Sequence, residues 1–93
     1  MPAAAERTIR VALMAHRDTG LLIATSDDLK GLFLAGRSED EIERQLPGAI
    51  REILEAEGNE VLSLISERDH DRLPETFVAF QFVANARLQA RAA

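Results

Sequence analysis

The fold is decided by residues 8–25, which read TIRVALMAHRDTGLLIAT. Alternate residues from Ile9 to Leu13 are large and apolar, and this spacing is typical of a strand with one buried face. Residues 17–20 have the composition of a turn, and residues 21–25 form a second apolar run of strand length. The stretch therefore predicts a β-hairpin.

A third strand and a helix are predicted after the hairpin. The polar residues 26–28 interrupt the chain, and the apolar run 32–35 predicts a strand that closes at Gly36. Ser38 and Glu41 have the spacing of a capping box, in which the serine hydroxyl accepts a hydrogen bond from the amide of Glu41 and the glutamate side chain reaches back. We therefore expect the helix to begin at Ser38.

The helix is predicted to end at Gly58 and Asn59, which are typical of a helix C-terminus. Pro47 removes one intrahelical hydrogen bond and clashes with the carbonyl of Glu43, which costs roughly 3 kcal/mol when it is uncompensated. We therefore expect a kink or two half-helices. The apolar residues recur at three- and four-residue spacing. They are Ile42, Leu46, Ala49, Ile50, Ile53 and Leu54.

The last third of the chain predicts one more strand. Residues 61–65 fit either a helical turn or a short strand, and we favour the helical turn. Residues 67–74 are charged and end in proline, which indicates a loop. Residues 76–87 alternate with apolar side chains on both faces, so they predict the fourth and longest strand.

Together these patterns predict an α+β fold, a β-β-β-α-β antiparallel sheet packed on one kinked helix. One helix covers only one face of such a sheet, so a strand that is apolar on both faces needs a second cover. We expect Val78, Phe80 and Phe82 to lie at a dimer interface. The alternative is that residues 61–65 pack on that face.

Length and composition set further bounds. The 93 residues fit one domain, spanning 1–93, with flexible ends expected at 1–6 and 88–93. Cysteine is absent, which excludes disulfides and thiolate metal sites. Neither a signal peptide nor an apolar run long enough to span a membrane is recognisable, so we expect a cytoplasmic protein. A net charge of −5 argues against direct binding of DNA through its phosphates.

The sequence contains no recognisable catalytic set, and we expect no enzyme activity, metal or cofactor. Asp27 and Asp28 could share a proton or hold a divalent ion. Acids in such a polar stretch are more typical of turns, because their side chains accept hydrogen bonds from nearby backbone amides. His70 lies between two aspartates without a second histidine at ligand spacing, and His16 is isolated at the hairpin tip.

Residues 7–58 resemble the HicB-like antitoxin family. The resemblance rests on the opening residues 8–11, TIRV, and on residues 24–32 of the second turn, which read ATSDDLKGL. A helix interrupted by proline, here Pro47, is similar to one branch of the family. The sequence departs from the family at Lys30, where proline is usual.

The resemblance implies a partial ferredoxin-like or ribonuclease-H-like fold that forms homodimers and occludes a small basic toxin ribonuclease of the HicA type. It implies partner contacts at Arg10, Asp27, Asp28 and Leu29. The DNA-binding module of many members is not expected, because too few residues follow the last strand. The alternative is an orphan domain of the same fold that binds a small molecule or acts as a regulatory homodimer.

Overall fold

Five strands and one helix make up the structure, a computed structural model that describes residues 5–68 and 80–90. In chain order the elements are β1 (Ala5–Ala15), β2 (Leu22–Thr25), β3 (Phe33–Gly36), α1 (Glu39–Ala56), β4 (Asn59–Arg68) and β5 (Phe80–Ala90). The strands form one antiparallel sheet in the order β3-β2-β1-β5-β4. The α+β fold class predicted from the sequence is confirmed, and β4 adds a fifth strand to the predicted order.

The core lies between α1 and one face of the sheet. Alternate residues of β1 and β5 point towards the helix, as the period of a half-buried strand requires. The largest fully buried side chains are Phe82, Ile9, Leu29, Ile42, Leu46, Ile50, Leu54 and Val11. No described element covers the opposite face of the sheet, which we call the outer face.

The β1–β2 hairpin confirms the first prediction. Its turn is closed by the amide of His16, which donates to the carbonyl oxygen of Leu21 at 2.7 Å. Gly20 has a φ of +72°, a conformation that glycine adopts without steric cost. The two strands pair antiparallel from Ala12 opposite Thr25 onwards to the turn.

The start of α1 was predicted correctly, with one difference in its cap. Ser38 is the N-cap, and its hydroxyl accepts from the amide of Glu41 at 3.2 Å. The Glu41 carboxylate accepts from the amide of Arg37 at 2.9 Å, one residue earlier than in the predicted capping box. Both bonds satisfy amides at the entry to the helix, where no intrahelical acceptor exists.

The prediction of two half-helices was wrong, because α1 is a single helix with Pro47 inside it. The buried residues of α1 before and after Pro47 pack in the same core with the sheet. This packing compensates for the hydrogen bond that proline removes. The helix ends as predicted. Gly58 has a φ of +94°, and the side-chain amide of Asn59 donates to the carbonyl oxygen of Leu54 at 3.1 Å.

The helical interpretation of residues 61–65 was wrong, because they form the middle of β4. Glu67 and Arg68, expected in a loop, are the last residues of that strand; residues 69–79 lie outside the described part of the chain. The long final strand is confirmed as β5 from Phe80 onwards. β5 lies between β1 and β4 rather than at an edge.

The sheet also extends into stretches that we expected to be flexible. β1 begins at Ala5 and pairs with β5 from there, where Ala5 lies opposite Leu88. β5 continues to Ala90, which lies opposite Asn59. Within the described ranges, no helix is long and apolar enough to cross a membrane.

Candidate binding surfaces

Side chains of the turn between β2 and β3 bind the part of β1 that lies beyond the end of β2. β2 pairs with β1 only as far as Ala12, and beyond that point side chains of the turn contact the backbone of Arg10. The Ser26 hydroxyl donates to the carbonyl oxygen of Arg10 at 2.6 Å, and an Asp28 carboxylate oxygen accepts from the Arg10 amide at 2.9 Å. Side chains of the turn thus satisfy the backbone polar groups that β2 leaves open.

Asp28 also forms an ion pair with the Arg10 side chain. The Arg10 Nε lies 3.0 Å from Oδ2 and Nη2 lies 3.2 Å from Oδ1, a bidentate arrangement. Hydrogen bonds from Arg10 lower the pKa of Asp28 below its ordinary value of 3.8. The same hydrogen bond raises the pKa of Arg10. The pair is therefore charged throughout the physiological range and is built into the fold.

A second arginine of β1 fixes the same turn to the end of the helix. The Arg7 guanidinium donates to the carbonyl oxygen of Asp28 and lies 3.2 Å from the carboxylate of Glu57, the C-cap of α1. The turn, β1 and the helix terminus are thus tied together by charged hydrogen bonds at the surface.

The four residues proposed as partner contacts do not share one exposed surface. Leu29 is completely buried in the core. Asp28 and Arg10 neutralise each other, as described above. Asp27 is exposed beside them. Among these four residues, Asp27 alone presents a carboxylate that no described hydrogen bond or ion pair engages.

The outer face carries an apolar patch that is not evident from the sequence alone. We define the outer-face patch as Met14, Ile23 and Phe33. Met14 lies opposite Ile23 in the β1–β2 pair, and Phe33 lies opposite Thr25 in the β2–β3 pair. Met14 is 56% exposed and Phe33 is 63% exposed. The signal in the sequence is Met14, a large apolar side chain on the otherwise outward-facing side of residues 8–14.

The other half of the outer face combines polar side chains with the exposed Ile65. A cleft of about 310 Å³ lies there, lined by residues of the three adjacent strands β1, β5 and β4. Within it the Thr8 hydroxyl donates to the side-chain oxygen of Asn85 at 3.0 Å. The lining residues from β1, β4 and β5 include Glu6, Thr8, Ser63, Ile65, Asn85 and Arg87.

An acidic cluster on α1 holds the end of β4. The Arg68 guanidinium lies 2.8 Å from the carboxylate of Glu43, also donates to Asp40, and is 3.8 Å from Glu39. Hydrogen bonds to Asp40 and Glu43 raise the pKa of Arg68. One arginine faces three carboxylates, so the surface at this end of β4 keeps an excess of negative charge.

The other candidate groups do not assemble into a site. No group of three or more potential metal ligands occurs within residues 5–68 and 80–90. The His16 ring lies 3.1 Å from the Thr19 hydroxyl within its own turn. His70 and its two neighbouring aspartates lie outside the described residues.

Of the three residues expected at a dimer interface, Phe82 is placed differently. Phe82 is completely buried in the core beneath α1, so it does not contribute to an exposed surface of this chain. Phe80 is the first residue of β5 and lies opposite Ala12. Val78 is outside the described residues.

The fold and these surfaces define a small α+β domain in which, among the described residues, a helix covers one face of the sheet. Residues 8–92 match the model of a family described as a domain of unknown function, DUF1902. The match spans nearly the whole chain, and the chain belongs to this family. Neither the curated proteins nor the solved structures contain a significant match.

Proposed function

We propose that the chain is an antitoxin-type domain of HicB-like character that binds a small basic toxin ribonuclease and occludes it by direct contact. The observation that carries the proposal is the outer-face patch, where Phe33 and Met14 expose large apolar side chains. Buried apolar centres with polar rims are typical of protein interfaces. The patch has the character of such a centre.

Charge supports a basic partner. The chain carries a net charge of −5, and the exposed Asp27 follows the strand that contributes Ile23 to the patch. A negative surface steers a positively charged protein towards it and accelerates association. The proposed binding needs no catalytic group, DNA-binding module or cofactor on this chain, and the cytoplasm would be the compartment of the complex.

The test uses the product of the adjacent reading frame, provided that it encodes a small basic protein. Both proteins are purified and titrated by calorimetry, with the ribonuclease activity of the partner as a second measurement. Phe33→Glu should weaken binding by at least about tenfold, because it puts a charge at the centre of the interface. Gln45→Glu is the matched control, since it adds the same charge at an exposed position of α1 and should leave binding unchanged.

Two results would refute the proposal. One is the absence of binding between this chain and any small basic protein encoded beside it. The other is binding that Phe33→Glu and Gln45→Glu affect equally. A complex of the expected kind also weakens with salt, because part of its attraction is electrostatic.

The polar cleft supports the second candidate, a domain that binds a small molecule. Its volume of about 310 Å³ is at the lower end of the range for ligand pockets. A rise in melting temperature with a metabolite, abolished by Asn85→Ala and unaffected by Phe33→Glu, would favour this candidate over the first.

A further inference from the structure

β4 is a long strand at one edge of the sheet that the described residues form. It contains ten residues and pairs only with β5 among the described strands, whereas β3, at the other edge of the sheet, contains four. An edge strand presents a row of unpaired amide and carbonyl groups, which is a template for another strand. Short edge strands limit such pairing, and β4 lacks this protection.

The middle of β4 also lacks charged side chains and proline, two other common protections of an edge. Residues 62–66, LSLIS, contain no charge, proline or glycine. Leu62 is 44% exposed and Ile65 is 59% exposed. A register shift between Val61 and Ser63 interrupts the ladder at one end, where the Arg51 guanidinium lies 3.5 Å from the carbonyl oxygen of Val61. The remaining residues of the segment continue as regular strand.

Carboxylates flank this uncharged segment at both ends. Glu60 precedes it and Glu67 follows it, and both are exposed. Among the described residues, two arginines lie near this segment: Arg68 is already bound by carboxylates of α1, and Arg51 donates to the carbonyl oxygen of Val61. The edge therefore combines an uncharged centre that can pair through its backbone with negative charge at each end.

We propose that the β4 edge is a strand-addition site for an extended peptide segment with an uncharged, β-forming centre and lysine or arginine on both flanks. Main-chain hydrogen bonds to residues 62–66 would give affinity, and the two glutamates would select the basic flanks. A second copy of this chain is disfavoured as occupant, because each copy carries a net charge of −5 and acids at the ends of the edge.

This site is separate from the outer-face patch, which lies on strands β1, β2 and β3. The inference therefore does not depend on the proposed toxin partner. Phe33→Glu tests the proposed function, whereas substitutions in β4 test the edge. The failure of one proposal can therefore be told apart from the failure of the other.

The probe is a synthetic peptide, Lys-Lys-Val-Thr-Val-Thr-Val-Lys-Lys, labelled with a fluorophore and titrated with the full chain. Polarisation should report saturable binding, and hydrogen exchange should show new protection confined to residues 62–66. A peptide with glutamate in place of each lysine should bind at least about tenfold more weakly. The basic peptide N-methylated at alternate residues should lose binding to a similar extent, since it lacks main-chain donors on one edge.

Variants of the chain complete the test. The double variant Glu60→Gln and Glu67→Gln should weaken binding of the basic peptide, and Met14→Lys, on the distant patch, should not. Equal binding of the N-methylated peptide would overturn the proposal, as would no binding of the basic peptide. Protection of residues 62–66 that grows with protein concentration alone would identify a second copy as the occupant and would also overturn it.

Discussion

At the scale of single residues, Asp28 is the most informative position. Its carboxylate accepts hydrogen bonds from the backbone amide of Arg10 and from Nε and Nη2 of the Arg10 side chain. The Ser26 hydroxyl donates to the carbonyl oxygen of Arg10. In the sequence alone, the acids of this turn fit a proton-sharing pair, a metal site, a turn element or a contact with a basic partner. For Asp28 the turn interpretation is the one that its hydrogen bonds support.

The Arg10–Asp28 pair makes stability depend on pH in the acid range. The folded state lowers the pKa of Asp28 below 3.8, so its contribution is present above that pH and is lost as the pH falls through the folded-state value. Asp28→Asn should lower the free energy of unfolding by about 1 kcal/mol near neutral pH. The difference between variant and wild type should close below pH 3.8. Urea unfolding at several pH values measures it.

Asp27→Asn is the matched control for this prediction. Asp27 is exposed, so its substitution should change the free energy of unfolding near neutral pH by less than about 0.5 kcal/mol. A gap between wild type and Asp28→Asn that persists unchanged in acid would contradict the assigned role of the ion pair.

At the scale of elements, α1 shows how packing overrides a local signal. Pro47 lies inside the helix, and Gly48 follows it. Neither residue favours a helix interior. The buried stripe from Ile42 to Leu54 nevertheless lies continuously on the sheet, and the capped ends position both halves. The cost of the two residues is therefore offset by burial rather than relieved by a break.

Alanine substitutions at two glycines, one inside α1 and one just after it, should change the free energy of unfolding in opposite directions. Space around Gly48 is open and its φ is not positive, so Gly48→Ala should raise the free energy of unfolding by about 0.5–1 kcal/mol. Gly58 has a φ of +94°, so Gly58→Ala should lower it by about 1–2 kcal/mol. Chemical denaturation of both variants tests this pair, and equal effects would contradict the described helix end.

At the scale of the whole molecule, the position of β5 decides what is core and what is surface. β5 pairs with β1 on one side and β4 on the other, so its inward residues lie beneath the helix. Phe82 is therefore a core residue, whereas the alternation of its strand predicts a place at a dimer interface. The exposed apolar side chains instead lie on the outer face and on the β4 edge.

Phe82→Ala distinguishes these two roles. Removing a fully buried phenylalanine typically costs 3–5 kcal/mol, roughly a third or more of the stability of a small domain. We expect a large loss in the free energy of unfolding, measured by urea denaturation at low protein concentration. A dimer-interface role would instead change the association constant, measured by light scattering, and leave the stability of the monomer intact.

The sequence by itself determined the elements whose signals are local. The strand alternation from Ile9 to Leu13, the turn at Gly20 and the caps at Ser38 and Gly58 each depend on neighbouring residues, and the structure confirms them. The membership of the α+β class follows from these elements.

Only the tertiary structure decided what depends on distant residues. Residues 61–65 pair with a distant part of the chain, with Val61 opposite Leu88 and Ile65 opposite Asn85, and a five-residue pattern carries no record of that partner. The pairing of Asp28 with Arg10 and the burial of Leu29 likewise depend on the turn lying beside β1. Periodicity shows which residues of a strand share a face. The order of the strands decides which other residues that face contacts.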